Sequence, residues 1–114
     1  MKLNFHEILM SLKKIKGIHG SAIIERYGGI VESELPGWVN PELMAALATH
    51  ILKISEKSAY ELNQGAFLDA IIENERGKLL FYSMSDKVVS VVTTSDAKLG
   101  ILDMKLKSAL EKMK

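Results

Sequence analysis

The histidines of this 114-residue chain are its first candidates for metal chemistry. His6-Glu7 opens like the helical motif of zinc proteases, which requires a second histidine ligand one helical turn later. Met10 occupies that position, so the pattern lacks a ligand. His19 and His50 fall in different predicted elements, and a lone histidine is more often solvated or hydrogen-bonded than metal-bound. Cysteine is absent, which excludes disulfides, iron–sulfur clusters and thiolate zinc sites. We expect no metal site.

Acid–base and nucleophilic catalysis are not supported by the spacing of the other reactive residues. The carboxylate pairs Glu32/Glu34 and Glu73/Glu75 lie near predicted strand ends, where water keeps both members ionised. Residues 77–78 (GK) lack the upstream glycine and the following serine or threonine of a phosphate-binding loop. No serine lies in the strand–turn–helix elbow that exposes a nucleophile. We expect a protein that is not an enzyme and uses no cofactor.

Composition places the chain among globular proteins, because 47% of its residues are hydrophobic, 25% are charged and only two are proline. Its length suits one buried core, so residues 1–114 are expected to form a single domain. The net charge of +1 gives no general attraction for nucleic acid. Residues 1–20 and 98–114 each carry a net charge of +3, but aromatic residues that could stack on bases are few. A solvated lysine surface is favoured, and no nucleic acid partner is expected.

Membrane insertion is also not expected. The longest apolar run, residues 43–48, is far shorter than a membrane span. His6, Glu7 and Lys13 interrupt what would be the apolar part of a signal peptide. We therefore expect a cytoplasmic protein.

Hydrophobic periodicity and turn residues predict the element order αββαβββα. The predicted helices are residues 3–16, residues 40–58 and a final helix after the N-cap candidates Thr94, Ser95 and Asp96. The predicted strands are residues 22–24, 30–35, 66–73, 78–83 and 87–93. Two glycines, Gly28 and Gly29, join the first two strands as a hairpin, and the last three strands form an antiparallel meander.

The apolar pattern also places strands within the sheet. Residues 88–92 carry valines at positions that point to both faces of the sheet, which is expected of a central strand with helices on both sides. Glu32 and Glu34 would protect the second strand as a free edge. Residues 66–72 carry one charge, at Asp69, and would be an aggregation hazard at the opposite edge unless something paired with them. We expect that edge to be covered.

The second helix carries apolar residues over an arc of roughly 200°, about twice what one buried face requires. Four of them are expected to face the sheet: Leu43, Leu47, Ile51 and Ile54. The others need a second cover, which is either another element of the same chain or a second copy. No element remains unassigned, so a homodimer through this helix and the adjacent edge strand is favoured. The predicted dimer interface is Met44, Ala45, Ala48, Leu52, Phe67 and Ile71.

Four apolar residues of the first and last helices lie off the predicted core stripes: Leu3, Met10, Ile101 and Met104. Scattered exposed apolar residues are normal, and that is the simpler interpretation of each one. If the two helices lie side by side on one sheet face, the four would form a partner patch among lysines.

Two stretches resemble the roadblock/dynein light-chain domain family. Residues 18–28 (IHGSAIIERYG) are similar to its Gly-x-x-Ala strand and acid-Arg-x-Gly turn, and residues 97–102 (AKLGIL) are similar to its Asn-Leu-Gly start of the final helix. The resemblance implies an α+β fold, in which a five-stranded antiparallel sheet carries one helix on one face and two on the other. It also implies pairing of second helices and third-strand edges in a homodimer, and no catalytic machinery. Gly100, unfavourable within a helix, predicts close packing of the last helix on the sheet.

The leading functional hypothesis is a non-catalytic, homodimeric platform that binds and regulates a small Ras-like GTPase, as the resemblance implies. Two alternatives stay open. A structural scaffold or adaptor of a larger assembly differs from this hypothesis only in its partner. A small-ligand sensor module would require a polar cavity between the sheet and the second helix.

Overall fold

The computed structural model describes residues 4–112, and its element order is the predicted αββαβββα. The helices are α1 (Phe5–Lys13), α2 (Pro41–Glu61) and α3 (Leu99–Glu111). The strands are β1 (Ile18–Glu25), β2 (Ile30–Glu34), β3 (Asp69–Asn74), β4 (Gly77–Met84) and β5 (Lys87–Thr93).

Asparagine side chains start the first two helices. The Asn4 side chain accepts a hydrogen bond from the Glu7 amide at 2.8 Å, and Asn40 accepts one from the Leu43 amide at 3.1 Å. Helix α3 differs, because its N-cap is Lys98 and no side chain caps it. The predicted cap residues, Thr94, Ser95 and Asp96, lie before the helix and form a separate turn.

The sheet is antiparallel throughout, in the order β2-β1-β5-β4-β3. Strand β5 is therefore central, as its apolar pattern predicts, and β2 and β3 form the two edges. On β2, Glu34 accepts a hydrogen bond from Lys13 at 2.9 Å, and Glu32 lies 3.5 Å from His6. These contacts attach α1 to the β2 edge.

Two apolar cores lie on opposite faces of the sheet. The first joins α1 and α3 to the sheet through residues such as Ile8, Leu12, Val89 and Leu106. The second joins α2 to the other face and contains Ile24 and the buried Phe81. One helix on one face and two on the other is the layout that the family resemblance implies.

Gly28 and Gly100 have different roles from each other. Gly28 has φ +106° in the β1–β2 turn, a conformation that glycine adopts without strain, and this confirms the predicted hairpin. Gly100 is exposed, and a Cβ placed on it would meet nothing within 4 Å. The prediction that Gly100 marks close packing on the sheet is therefore wrong.

Candidate functional site

Helix α2 faces the sheet with the side that was predicted to face a second copy. Met44, Ala45, Ala48 and Leu52 are all buried against the sheet, none more than 4% exposed. The two alanines let the helix backbone approach the strands, and the two longer side chains fill the space beside them. The prediction that these four residues face a second copy is therefore wrong, because they already lie in the core of one chain.

The outer side of α2 carries the α2 stripe, which consists of Leu43, Leu47, Ile51 and Ile54. Their spacing places them on one helix face. Leu43 is 59% exposed, Leu47 is 42% exposed and Ile54 is 52% exposed, while Ile51 is half-buried at the edge of the stripe and packs against the core beneath α2. A single exposed leucine is ordinary, but a continuous apolar stripe over three turns of helix indicates an interaction surface.

The C-terminal end of this stripe, at Ile54, meets the segment that leads into β3. Strand β3 pairs only with β4, so its other side presents unpaired backbone groups. A groove of about 380 Å³ lies between the end of α2 and the segment before β3, with Ile54, Phe67 and Leu68 among its walls. The stripe, this groove and the β3 edge together form what we call the α2–β3 surface.

The last two residues of the predicted interface, Phe67 just before β3 and Ile71 within β3, lie on different faces of the sheet. Phe67 is half-buried against the core beneath α2. Ile71 pairs with Leu80, which belongs to the core beneath α1 and α3, and its side chain is exposed. The β3 edge thus offers apolar contacts on both sides of the sheet.

The predicted partner patch falls on the face formed by α1 and α3, which lie against each other. Met10, Ile101 and Met104 are all exposed, and the last two are one turn apart on α3. Leu3 lies outside the described residues. The assignment of these residues to a partner stays a prediction.

A cleft of about 350 Å³ lies at the start of α3, where the α1–β1 loop meets the β5–α3 loop. Ile15 and Ile101 contribute apolar walls, and Lys16, Lys98 and Lys105 contribute positive charge. Sequence reasoning missed this cleft because Lys16 comes from the α1–β1 loop, whereas Lys98 and Lys105 come from the start of α3. The only sequence signal is the excess of lysine at both ends of the chain.

A polar network joins α3 to the sheet beside the β3 edge. The Tyr82 hydroxyl donates a hydrogen bond to Asp103 at 2.7 Å, and Lys107 lies 3.2 Å from Asp103 and 3.8 Å from Asp69. Burial, followed by the hydrogen bond to Asp103, raises the pKa of Tyr82 far above its usual value. The same hydrogen bond lowers the pKa of Asp103. The network therefore holds a neutral phenol against an ionised carboxylate, which anchors α3.

The described residues contain no group of three or more histidine, aspartate or glutamate side chains placed to hold a metal ion. The region between α2 and the sheet is filled with apolar side chains, among them Ala22, Ile24 and Phe81. Ser90, the register neighbour of Ala22 and Phe81, has a buried hydroxyl without a hydrogen-bond partner. These core residues do not form the polar cavity that a ligand sensor would require; a small pocket of about 160 Å³ lies beside them, where α2 meets the β1–β2 turn, with Arg26, Thr49 and Glu56 among its walls.

Across residues 4–112, none of the helices combines the length and apolar character needed to cross a bilayer.

The sequence and the fold were each compared with those of known proteins, and both comparisons found roadblock domains. The profile of the Roadblock/LC7 domain matches residues 5–94. An uncharacterised protein of Methanocaldococcus jannaschii is 34% identical over 107 residues, which cover 94% of each chain. The crystal structure of a Roadblock/LC7 domain from Streptomyces avermitilis superposes with a TM-score of 0.86 at 12% identity, covering 96% of this chain and 93% of that one. MglB of Myxococcus xanthus superposes with a TM-score of 0.87 at 16% identity, covering 97% and 94%.

Proposed function

The chain belongs to the Roadblock/LC7 domain family, and on that premise we propose that it is a non-catalytic, homodimeric platform that binds and regulates a small Ras-like GTPase. Proteins of this family are generally non-catalytic regulators. The observation that carries the proposal is the α2–β3 surface, where an exposed apolar stripe ends beside the segment that leads into an unpaired strand edge.

A second copy of the chain is the partner that suits this surface. Two β3 edges related by a two-fold axis would pair antiparallel and extend the sheet across both copies. The same axis would bring two α2 stripes together and remove Leu43, Leu47 and Ile54 from water. Burying apolar side chains of this size contributes about 1.5–3 kcal/mol each when burial is complete. Backbone pairing and apolar burial would therefore act in the same interface.

The GTPase part of the proposal depends on the family. Family members dimerise and bind small GTPases. A platform of this kind acts by positioning another protein's catalytic groups rather than by supplying chemistry.

Three neighbouring arginine substitutions on α2 test the dimer. Leu47→Arg places a charge on the α2 stripe and should give a folded monomer in sedimentation velocity. Ala46→Arg adds the same side chain at an exposed position off the stripe and should leave the dimer unchanged. Ala48→Arg forces a charge into the core of one chain, where Ala48 is fully buried, and should reduce the folded fraction seen by circular dichroism.

Two results would refute the proposed dimer. One is a wild-type protein that sediments as a monomer at micromolar concentration. The other is a Leu47→Arg variant that sediments as the wild-type dimer does.

Purified Ras-like GTPases from the same genome test the regulatory role. We expect one of them to bind the dimer and to change its rate of nucleotide hydrolysis or exchange, while the chain alone turns over neither GTP nor ATP. If none binds, the GTPase proposal fails and a scaffold role is favoured. Turnover by the chain itself, abolished by a point mutation in it, would refute the non-catalytic role.

A further inference from the structure

We propose that the cleft at the start of α3 receives an acidic segment of a partner protein, with the segment's carboxylates against the lysines and one of its aliphatic side chains against the isoleucines. This inference deepens the proposed function, because it states what the regulated partner presents. It concerns the sheet face opposite α2, so it does not involve the α2–β3 surface.

The cleft is built by three stretches of chain that meet in the fold. Residues 15–17 follow α1, residues 94–98 link β5 to α3, and residues 101–105 form the first turns of α3. Its volume of about 350 Å³ lies within the range of sites that accept a few side chains of a ligand. A short segment of a partner can therefore enter it.

The charge of the cleft is mainly positive, with three lysines against the single carboxylate of Asp96 in its lining. Lys16, Lys98 and Lys105 line it, and none of the three forms an ion pair with another of residues 4–112. By contrast, Lys13 and Lys107 on the same sheet face are each paired with a carboxylate. The cleft thus concentrates unpaired cations that would attract a negative partner.

Asp96 is the acidic residue among the lining residues, and it is engaged by its neighbours. The Thr94 hydroxyl donates a hydrogen bond to its carboxylate at 2.6 Å. That bond, and more weakly the charges of Lys16 and Lys78, lower the pKa of Asp96. Asp96 therefore stays ionised and offsets part of the positive charge, but it leaves Lys98 and Lys105 unpaired on the α3 side of the cleft.

The apolar part of the cleft determines which anion it suits. Ile101 is 51% exposed, Ile15 is half-buried, and Met104 extends the apolar surface one turn further along α3. An aliphatic side chain of a peptide would cover these residues. The lining contains no aromatic residue on which a base could stack, so an acidic peptide is favoured over a nucleic acid.

A synthetic peptide that alternates glutamate with leucine is the test probe, and backbone amide NMR shifts of the full chain are the readout. We expect shifts at residues 97–105 upon titration. Lys98→Gln combined with Lys105→Gln should weaken binding about tenfold, because two exposed ion pairs with the peptide are lost. Ile101→Ala should also weaken it, which a purely electrostatic attraction would not predict.

A matched control removes the same number of charges elsewhere. Lys53→Gln combined with Lys112→Gln changes α2 and the far end of α3, and should leave peptide affinity unchanged. Circular dichroism of each variant checks that it is folded, which is expected because all the substituted side chains are exposed.

Three outcomes would overturn the inference. The peptide could leave the resonances of residues 97–105 unshifted, or the control pair could weaken binding as much as the cleft pair. Phosphatidylserine vesicles could bind in a way that depends on Lys98 and Lys105 while the peptide does not bind. That result would identify an anionic membrane surface, and not a peptide, as the ligand of the cleft. Sedimentation and GTPase assays are separate measurements, so failure here would leave the proposed dimer and its GTPase binding to be judged on their own.

Discussion

Replacing Tyr82 by phenylalanine should destabilise the protein in a pH-dependent way. The ring of Tyr82 is buried, and its hydroxyl donates to Asp103 at 2.7 Å. A hydrogen bond to a charged group contributes about 1.5–3 kcal/mol to stability. Asp103 is still partly open to water and keeps Lys107 at 3.2 Å, so we expect a loss near the lower end, about 1.5 kcal/mol at pH 7.

The pH dependence follows from the two shifted pKa values. The pKa of Asp103 is lowered in the folded protein, so its contribution is fully present above the unfolded value of about 3.9 and is lost as pH falls through the folded value. The pKa of Tyr82 is raised, so its contribution is present below about pH 10 and decreases as pH rises above that value. The difference between wild type and Tyr82→Phe should therefore be largest near neutral pH and smaller at both extremes.

Urea denaturation of wild type and Tyr82→Phe measures this difference. Both proteins are used at the same concentration, so that self-association contributes equally to their stability. Tyr27→Phe is the control, since Tyr27 is 92% exposed and should change the free energy of unfolding by less than about 0.5 kcal/mol. A Tyr82→Phe variant as stable as wild type at pH 7, or a difference that does not shrink below pH 4, would refute the reasoning.

Three smaller substitutions test other parts of the structure. Gly100→Ala should raise the free energy of unfolding by about 0.5–1 kcal/mol, because the position is open and helical, and an unchanged urea midpoint would contradict this. Ser90→Ala removes a buried hydroxyl that has no partner, so stability should stay equal or rise by up to about 1 kcal/mol, and a clear loss would show that the hydroxyl is bonded. Glu56→Gln breaks the ion pair with Arg26, in which both side chains are about one-third exposed, and should cost under about 1 kcal/mol, with the loss decreasing at high salt.

The order of elements was predictable because it depends on local periodicity. Strand β5 was placed at its observed bounds and in the centre of the sheet, since its residues are apolar on both faces. Strand β1 begins at Ile18, earlier than its apolar run predicts, because pairing with β5 orders residues that have little strand pattern of their own. Helix α3 begins without a side-chain cap although Thr94, Ser95 and Asp96 precede it, because Thr94 and Asp96 bond each other instead.

The surfaces were less predictable than the elements. The exposure of Ile101 and Met104 follows from helical periodicity, but the cleft beside them needs three chain segments to meet. Lys16 is distant in sequence from Lys98 and Lys105, and only the packing of α1 and α3 on one sheet face brings it close to them. Charge totals at the chain ends indicated positive surface without locating it.

The sequence by itself determined that α2 is apolar on more than one face, and it predicted that one sheet edge, with a single charge over residues 66–72, is covered by a partner. Only the tertiary structure decided which face of α2 meets the sheet. Local periodicity cannot choose, because both sectors of the helix are apolar. The choice depends on side-chain volume against a surface that exists only when β1, β5 and β4 lie side by side. There the small residues Ala45 and Ala48 allow close approach and Met44 and Leu52 fill the space beside them, while Leu43 and Leu47 stay outside.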